Sequence, residues 1–415
     1  PDMALNYIWF GFFLIAFIVA LVKLVFFQDM AVFPALMNST FSSAKTGFEI
    51  SLYLTGVMSL WLGLMKIADK GGIVPILSKV IGPFFQRLFP EVPKDHPANG
   101  SILMNFSANM LGLDNAATPL GLKAMKELQE INPDKDTASN AQITFMVLNA
   151  SGLTLIPITV IADRASLGSL NPTSIFIPTL LATFCSTIAG LIYLSVKQKI
   201  KWDAVMIAYI TGITAFILLM VFYFASLTPE ALQMQSSLIS SLVILSLIIS
   251  FLLLGFKRKL PLFETFVEGA KEGFETSIKI IPYLVAMLVG IGLFRASGTI
   301  DYLMNGLAWT FSTLFHINTA FVDALPVALL KPLTGQGSRA MMMDISKALG
   351  PDSFAANLAS IFRGCSETTF YVLAVYFGSV QVRKTRYALT GGLIADVVGA
   401  IAAIFIAYLF FNPPA

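Results

Sequence analysis

Charge is scarce in this chain: Asp, Glu, Lys and Arg make up only 12% of its 415 residues, against 56% hydrophobic. No water-soluble domain of this size hides so much apolar surface in one core, so the chain belongs in lipid. Cysteine is nearly absent. Cys185 and Cys365 sit far apart in apolar segments, which argues against both a disulfide framework and a cysteine-rich metal site. Histidine is as rare, with His96 and His316 alone, and no HExxH, Walker or GxSxG pattern occurs. The expectation is therefore no enzyme, no cofactor and no bound metal. The net charge of +3 comes from basic residues grouped in short segments, which reads as membrane topology and implies no nucleic-acid partner.

What the chain has in quantity is long apolar runs. Nine are long enough to cross about 30 Å of hydrocarbon as helix: 7–27, 47–67, 139–161, 175–195, 205–226, 236–256, 275–295, 354–377 and 388–411. Two more, 98–130 and 320–349, are interrupted midway by Gly, Asn, Asp, Gln and Ser. Their arms of roughly 12–15 residues are too short to span, so they read as re-entrant hairpins. Backbone breaks at membrane depth are tolerated only inside protein or beside a wet cavity. Between span and hairpin lie moderately amphipathic stretches, 72–89 and 299–315, suited to the interface. The predicted fold class is an all-α polytopic membrane protein with about nine transmembrane helices plus two re-entrant helical hairpins in two inverted repeats.

Charge placement orients this layout. Lys197, Lys199 and Lys201, then Lys257, Arg258 and Lys259, then Arg383, Lys384 and Arg386 all fall on one face when the N-terminus is cytoplasmic. The loops 226–235 and 296–318 on the other face carry no Lys or Arg. The positive-inside rule then places the N-terminus inside and the C-terminus outside a bacterial cytoplasmic (inner) membrane.

The sequence also repeats. Ala44-Lys45-Thr46-Gly47-Phe48-Glu49 recurs as Ala270-Lys271-Glu272-Gly273-Phe274-Glu275, an offset of 226 residues (275 − 49), and Leu88-Phe89 recurs as Leu314-Phe315 at the same offset (314 − 88). Ala150-Ser151-Gly152-Leu153-Thr154 faces Cys365-Ser366-Glu367-Thr368-Thr369. Each unit runs span, interfacial helix, hairpin, span, span. The predicted division is a first half at 1–204, a linking transmembrane helix at 205–226 and a second half at 227–415. One odd linking helix turns the second unit upside down, the plan of secondary transporters with discontinuous helices meeting at the midplane. Duplication for packing alone is the plainer alternative, but packing needs no polar breaks at matching places.

These residues carry a family resemblance. NFSANMLGLDNAATPLGLKAMKEL (105–128) in the first half is similar to spore maturation protein A, and LKPLTGQGSRAMMMDISKALGPDS (330–353) with RGCSETTFYVLAVYFG (363–378) in the second is similar to spore maturation protein B. The chain resembles a natural fusion of the two over nearly its whole length. Both are members of the nucleoside-recognition or Gate family, which more distantly resembles concentrative nucleoside transporters and the membrane part of ferrous iron transporter B. The resemblance implies a transporter-like fold and does not establish a substrate.

Polar residues inside the apolar background mark the candidate solute site. Asn105, Ser107, Asn109, Asp114, Asn115 and Thr118 crowd the first hairpin; Asp114 and Asn115 suit the cap of a half-helix, and the plain reading is that they satisfy the hairpin's own backbone. In the second hairpin, Thr334, Gln336, Gly337, Ser338 and Arg339 form a tight reversal at a helix N-terminus whose dipole favours an anion. Arg339 reads equally as a ligand donor, a salt-bridge partner or a snorkel to the interface. Asn149, Ser151 and Thr154 surround Gly152, and Pro157 leaves the carbonyl of Leu153 without a helical partner. The matching segment holds Arg363, Ser366, Glu367, Thr368 and Thr369. Ionisable groups at that depth are expensive, although Arg363 and Glu367, four residues apart, are also placed to neutralise each other. Glu367 and Asp396 are the coupling candidates.

The functional expectation is a transporter, or transporter-like permease, for a small polar solute, with anionic ones among the candidates, working by alternating access between the hairpin tips and the broken helices. Its partners are the lipid bilayer, that solute and, as a further option, a second copy in a homo-oligomer. A non-transporting scaffold or assembly factor in envelope or spore-type maturation is the rival from another class; a cation or metal pore is the third.

Overall fold

A computed structural model describes residues 3–110, 114–152, 154–200, 202–315 and 318–411 of the chain. Helix follows helix: α1 (Met3–Phe27), α2 (Val32–Gly71), α3 (Ile73–Leu88), α4 (Pro97–Met110), α5 (Asp114–Glu130), α6 (Asn140–Ala150), α7 (Ile158–Ser166), α8 (Phe176–Gln198), α9 (Ala204–Ala225), α10 (Pro229–Lys257), α11 (Leu262–Ala296), α12 (Thr299–Thr310), α13 (Leu325–Leu330), α14 (Gly335–Leu349), α15 (Phe354–Gly364), α16 (Thr369–Ser379) and α17 (Ala388–Phe410). No strand occurs among the described residues, where the sole β pairing is an isolated bridge between Thr137 and Lys384.

The element order α2–α3, α4–α5, α6–α7, α8 recurs as α11–α12, α13–α14, α15–α16, α17. The hinge between the first two helices of each set is a left-handed glycine, Gly72 at φ +83° and Gly298 at φ +82°, again 226 residues apart. Only glycine takes that conformation without Cβ strain, and it lets each long helix turn sharply into the next. Polar side chains start the later helices alike. Ser139 closes a capping box with Gln142 at the head of α6, and Ser353 accepts from the backbone N–H of Ala356 at the head of α15.

Equivalent helices pack against each other in opposite directions. Along α2 and α11, Gly47 faces Val285, Ser59 faces Gly273 and Gly63 faces Phe266, so one number rises as the other falls. Gly190 of α8 faces Ala395 of α17, and Ser186 faces Gly399, in the same antiparallel sense. The α2–α11 contact is close because it is made through glycine. A Cβ on Gly273 would lie 2.7 Å from the backbone of Ser59, nearer than packed carbon can sit. Gly273→Ala is expected to destabilise the protein by about 1–3 kcal/mol through forced separation of the two helices. Gly212→Ala, with nothing within 4 Å of the new methyl, should be neutral or stabilising by up to about 1 kcal/mol; thermal melting in detergent compares the two.

Among the described residues, four helices are long and apolar enough to cross a membrane by length and composition, at Trp9–Phe27, Pro172–Gln198, Ala204–Tyr223 and Ala388–Phe410, with a shorter apolar stretch at Ser241–Lys257. The other expected runs take different forms. The runs at 139–161 and 354–377 are each split into two half-helices. Those at 47–67 and 275–295 lie within helices of 40 and 35 residues that continue into charged ends; at 1.5 Å per residue the longer reaches about 60 Å. The periphery is apolar and open: Phe10 and Phe17 on α1 and Leu218 and Phe222 on α9 are exposed, faces fit for lipid. The centre is formed by α6 and α15, whose residues from Ala141 to Ala150 and from Phe354 to Phe362 are all buried.

Candidate functional site

Two broken helices cross at their breaks. α6 stops at Ala150 and α7 begins at Ile158, after Pro157, whose ring removes the donor a continuous helix needs. α15 stops at Gly364 and α16 begins at Thr369. The backbone N–H of Glu367 donates to the carbonyl of Ala150 at 2.9 Å. The Thr183 hydroxyl on α8 reaches the carbonyls of both Gly152 and Cys365. Peptide groups freed by each break are thus partly satisfied by the other break.

Each hairpin is pinned to the break of its own set. In the first, Asn105 of α4 donates to the carbonyl of Ala117 in α5 at 2.8 Å, which fixes the two arms against each other, and the carbonyl of Met110 accepts from the N–H of Leu155 at 2.8 Å. In the second, Ser338 of α14 donates back to Val327 in α13 at 3.2 Å, and the carbonyl of Pro332 accepts from the N–H of Phe370 at 3.1 Å. Thr334 caps α14 by accepting from the N–H of Gly337.

The four pieces enclose a cavity of about 870 Å³. Asn109 and Thr118 reach it from the first hairpin, Asn149 and Thr154 from the first break, Thr334 and Gln336 from the second hairpin, and Arg363, Glu367 and Thr368 from the second break. Asn149 organises one wall, accepting from Asn109 at 2.8 Å and from the Tyr376 hydroxyl at 3.2 Å while donating to Phe145 at 2.8 Å. The opposite wall is less satisfied. Gln336 Oε1 and Arg363 Nε are enclosed and without a hydrogen-bond partner among the described residues.

Other expected site residues lie outside the cavity lining. Asn105, Ser107, Ser151, Gly337, Ser338, Ser366 and Thr369 are buried behind it; Ser151 bonds to Leu148 and Thr187, and Thr369 donates to Asp396 at 2.6 Å. Arg339 is corrected most clearly: it points away from the cavity and grips Asp163 of α7 through Nε at 2.9 and 3.1 Å and through Nη2 at 2.5 Å. Both side chains are nearly inaccessible, at 5% and 1%, so this guanidinium is consumed by an ion pair. The alternative that Arg363 and Glu367 neutralise each other fails too, since α15 ends at Gly364 and the helical spacing that would join them is lost. Helix α5 begins at Asp114, but the side chains of Asp114 and Asn115, and Leu153 with its carbonyl, lie outside the described residues.

Three contributors are not evident from sequence. Asp163 and Tyr376 read as ordinary helix residues because their partners Arg339 and Asn149 are 176 and 227 positions away. Lys331, in the turn between α13 and α14, is 2% exposed and its Nζ has no hydrogen-bond partner among the described residues. A lysine inside an otherwise apolar run was the available signal.

The nucleoside recognition family model, Gate, matches residues 51–166, from the middle of α2 to the end of α7. Spore maturation protein A of Bacillus subtilis (strain 168) is 46% identical over 167 residues, which is 40% of this chain and 85% of the relative. Spore maturation protein B of the same organism is 44% identical over 173 residues, 41% of this chain and 95% of the relative.

Proposed function

The chain belongs to the family of spore maturation proteins A and B, and from that premise we propose that it is a permease of the transporter type, carrying a small polar solute across a bacterial cytoplasmic membrane. The observation that carries the reading is the cavity of about 870 Å³ where both hairpins and both breaks meet. Its size falls in the range of small-molecule sites and far exceeds a few waters at about 30 Å³ each. Antiparallel packing of equivalent helices supports two repeats of opposite orientation, the arrangement that lets one site open to either side. In this reading the hairpins are re-entrant, the N-terminus is cytoplasmic and the C-terminus outside, and the exposed apolar faces of α1 and α9 meet lipid or a second copy.

A non-transporting scaffold is favoured by one observation. Asn105, Asn109, Asn149 and Tyr376 satisfy one another, as purely structural polar groups do. Gln336 and Arg363 do not follow that pattern, and a permanent scaffold gains nothing by leaving them unsatisfied.

Efflux separates the two readings. Proteoliposomes loaded with a mixture of polar metabolites are expected to lose a defined subset that protein-free vesicles retain. Gln336→Ala should slow that loss about tenfold or more at unchanged melting temperature. Asn149→Ala should slow it as well, and cost about 1–3 kcal/mol for each bond partner left unsatisfied. No selective loss from wild-type vesicles, or rates unchanged in both variants, removes the permease reading.

A further inference from the structure

Among the described residues the cavity is lined by one basic and one acidic side chain, Arg363 and Glu367, and neither has an ion-pair partner there. Arg363 makes no hydrogen bond or ion pair with any described residue, and its Nε is enclosed. Glu367 bonds through its backbone N–H only; its side chain is exposed to the cavity it lines. The other described lining residues include no Asp, Glu, Lys or Arg. Behind them lie Lys331, buried and with no hydrogen-bond partner for its Nζ among the described residues, and Asp396, which accepts from Thr369 through Oδ2. Two cations and two carboxylates thus lie in or just behind the described lining, and no ion pair among the described residues joins any of the four.

From this balance we infer that the solute is a compact zwitterion of the amino-acid or short-peptide class, its anionic group received by Arg363 and its cationic group by Glu367. The inference rests on the cavity being a solute site. It follows by elimination among ligand charges. An uncharged polar solute that closed the cavity over itself would strip water from Arg363 and Glu367 and return hydrogen bonds but no counter-charge, which leaves each ion undercompensated. A simple anion compensates Arg363 but leaves Glu367 desolvated beside a like charge, and a simple cation does the reverse. A zwitterion satisfies both at once, without altering the formal neutrality of the four-charge set. Phe370, Tyr371 and Tyr376 on the wall supply apolar and aromatic surface for a side chain.

The test compares phenylalanine with the two compounds that each lack one of its charged groups, alongside a dipeptide and a neutral nucleoside. Binding to the full chain in nanodiscs is measured for L-phenylalanine and glycyl-L-phenylalanine, both zwitterions, and for 3-phenylpropanoate, 2-phenylethylamine and uncharged adenosine. At least one zwitterion is expected to bind about tenfold tighter than either singly charged compound. Glu367→Gln should abolish that preference and leave 3-phenylpropanoate bound as well as before or better; Arg363→Gln should do the same for 2-phenylethylamine. Adenosine or a singly charged compound binding best, with affinity unchanged in both variants, overturns the zwitterion and leaves the cavity reading standing. Failure of both zwitterions to bind overturns it as well, and the efflux measurement then decides independently whether the cavity serves any solute.

Discussion

Asp163→Ala is expected to destabilise the protein by about 3–5 kcal/mol, because it leaves Arg339 charged, enclosed and without its partner. The geometry makes this pair unlike a surface ion pair. The guanidinium meets the carboxylate in a forked arrangement, Nε at 2.9 Å and 3.1 Å from the two oxygens, and both groups are almost inaccessible to solvent. Water therefore neither weakens the attraction nor rescues a broken half. Arg339→Ala should cost a similar amount by stranding the carboxylate. The double variant Asp163→Leu with Arg339→Met removes both charges, keeps much of the volume, and is expected to recover most of the loss, since apolar replacement of a buried pair is often neutral or stabilising. Thermal melting in detergent is the measurement. Single variants that melt within about 2 °C of wild type would mean that the charges reach solvent, and the ion pair would then have no special place in the fold.

That pair also constrains how the molecule can move. Asp163 lies on α7, which follows the first break, and Arg339 lies on α14, the second arm of the second hairpin. A cycle in which each hairpin swings with the helix of its own repeat would have to tear this contact apart. The second hairpin and α7 are better regarded as one body, joined across the two repeats. Arg164, beside Asp163, extends the joint: it is 1% exposed and holds Asp352 and the carbonyl of Pro351 at the head of α15.

How much of this was legible depended on whether the signal was local. Asn109, Thr334 and Gln336 stand out because an apolar background has little use for polar side chains unless the backbone breaks nearby, and α4 ends at Met110 while α14 begins at Gly335. The 226-residue offset was legible because five of the six residues at 44–49 recur at 270–275, and the left-handed glycines Gly72 and Gly298 lie at the same offset. Contacts between the repeats were illegible for the converse reason. Nothing near Arg339 in sequence says that its counter-charge is 176 residues away, so its three readings stayed open. Nor could the ends of the helices be read from apolar runs alone: α6 stops at Ala150 and α15 at Gly364 inside two of them, whereas α2 and α11 run on past theirs. Lys331 is hard to read from sequence because a lone lysine in an apolar stretch ordinarily finds a carboxylate or the interface, whereas here its Nζ is buried with no hydrogen-bond partner among the described residues.

Gly152→Ala brings these threads to one atom. Gly152 has φ +68°, where an L-residue pays about 1–2 kcal/mol. A Cβ there would stand 2.6 Å from Ser366 Cα and 2.8 Å from its carbonyl carbon. Those are backbone atoms of the other break, so no rotamer change makes room; the two broken helices must part, at a further cost of about 1–3 kcal/mol. Gly168→Ala isolates the first contribution, because Gly168 has φ +79° with nothing within 4 Å of the added methyl. Both variants should lose the conformational share, and only Gly152→Ala should also lose the bridging of Gly152 and Cys365 by Thr183 and, with it, most solute efflux. Melting and efflux measured side by side decide the matter. If the two alanines behave alike, the crossing of the breaks is not what shapes the cavity. If Gly152→Ala melts as Gly168→Ala does yet is inactive, the crossing serves the movement of solute more than it serves the fold.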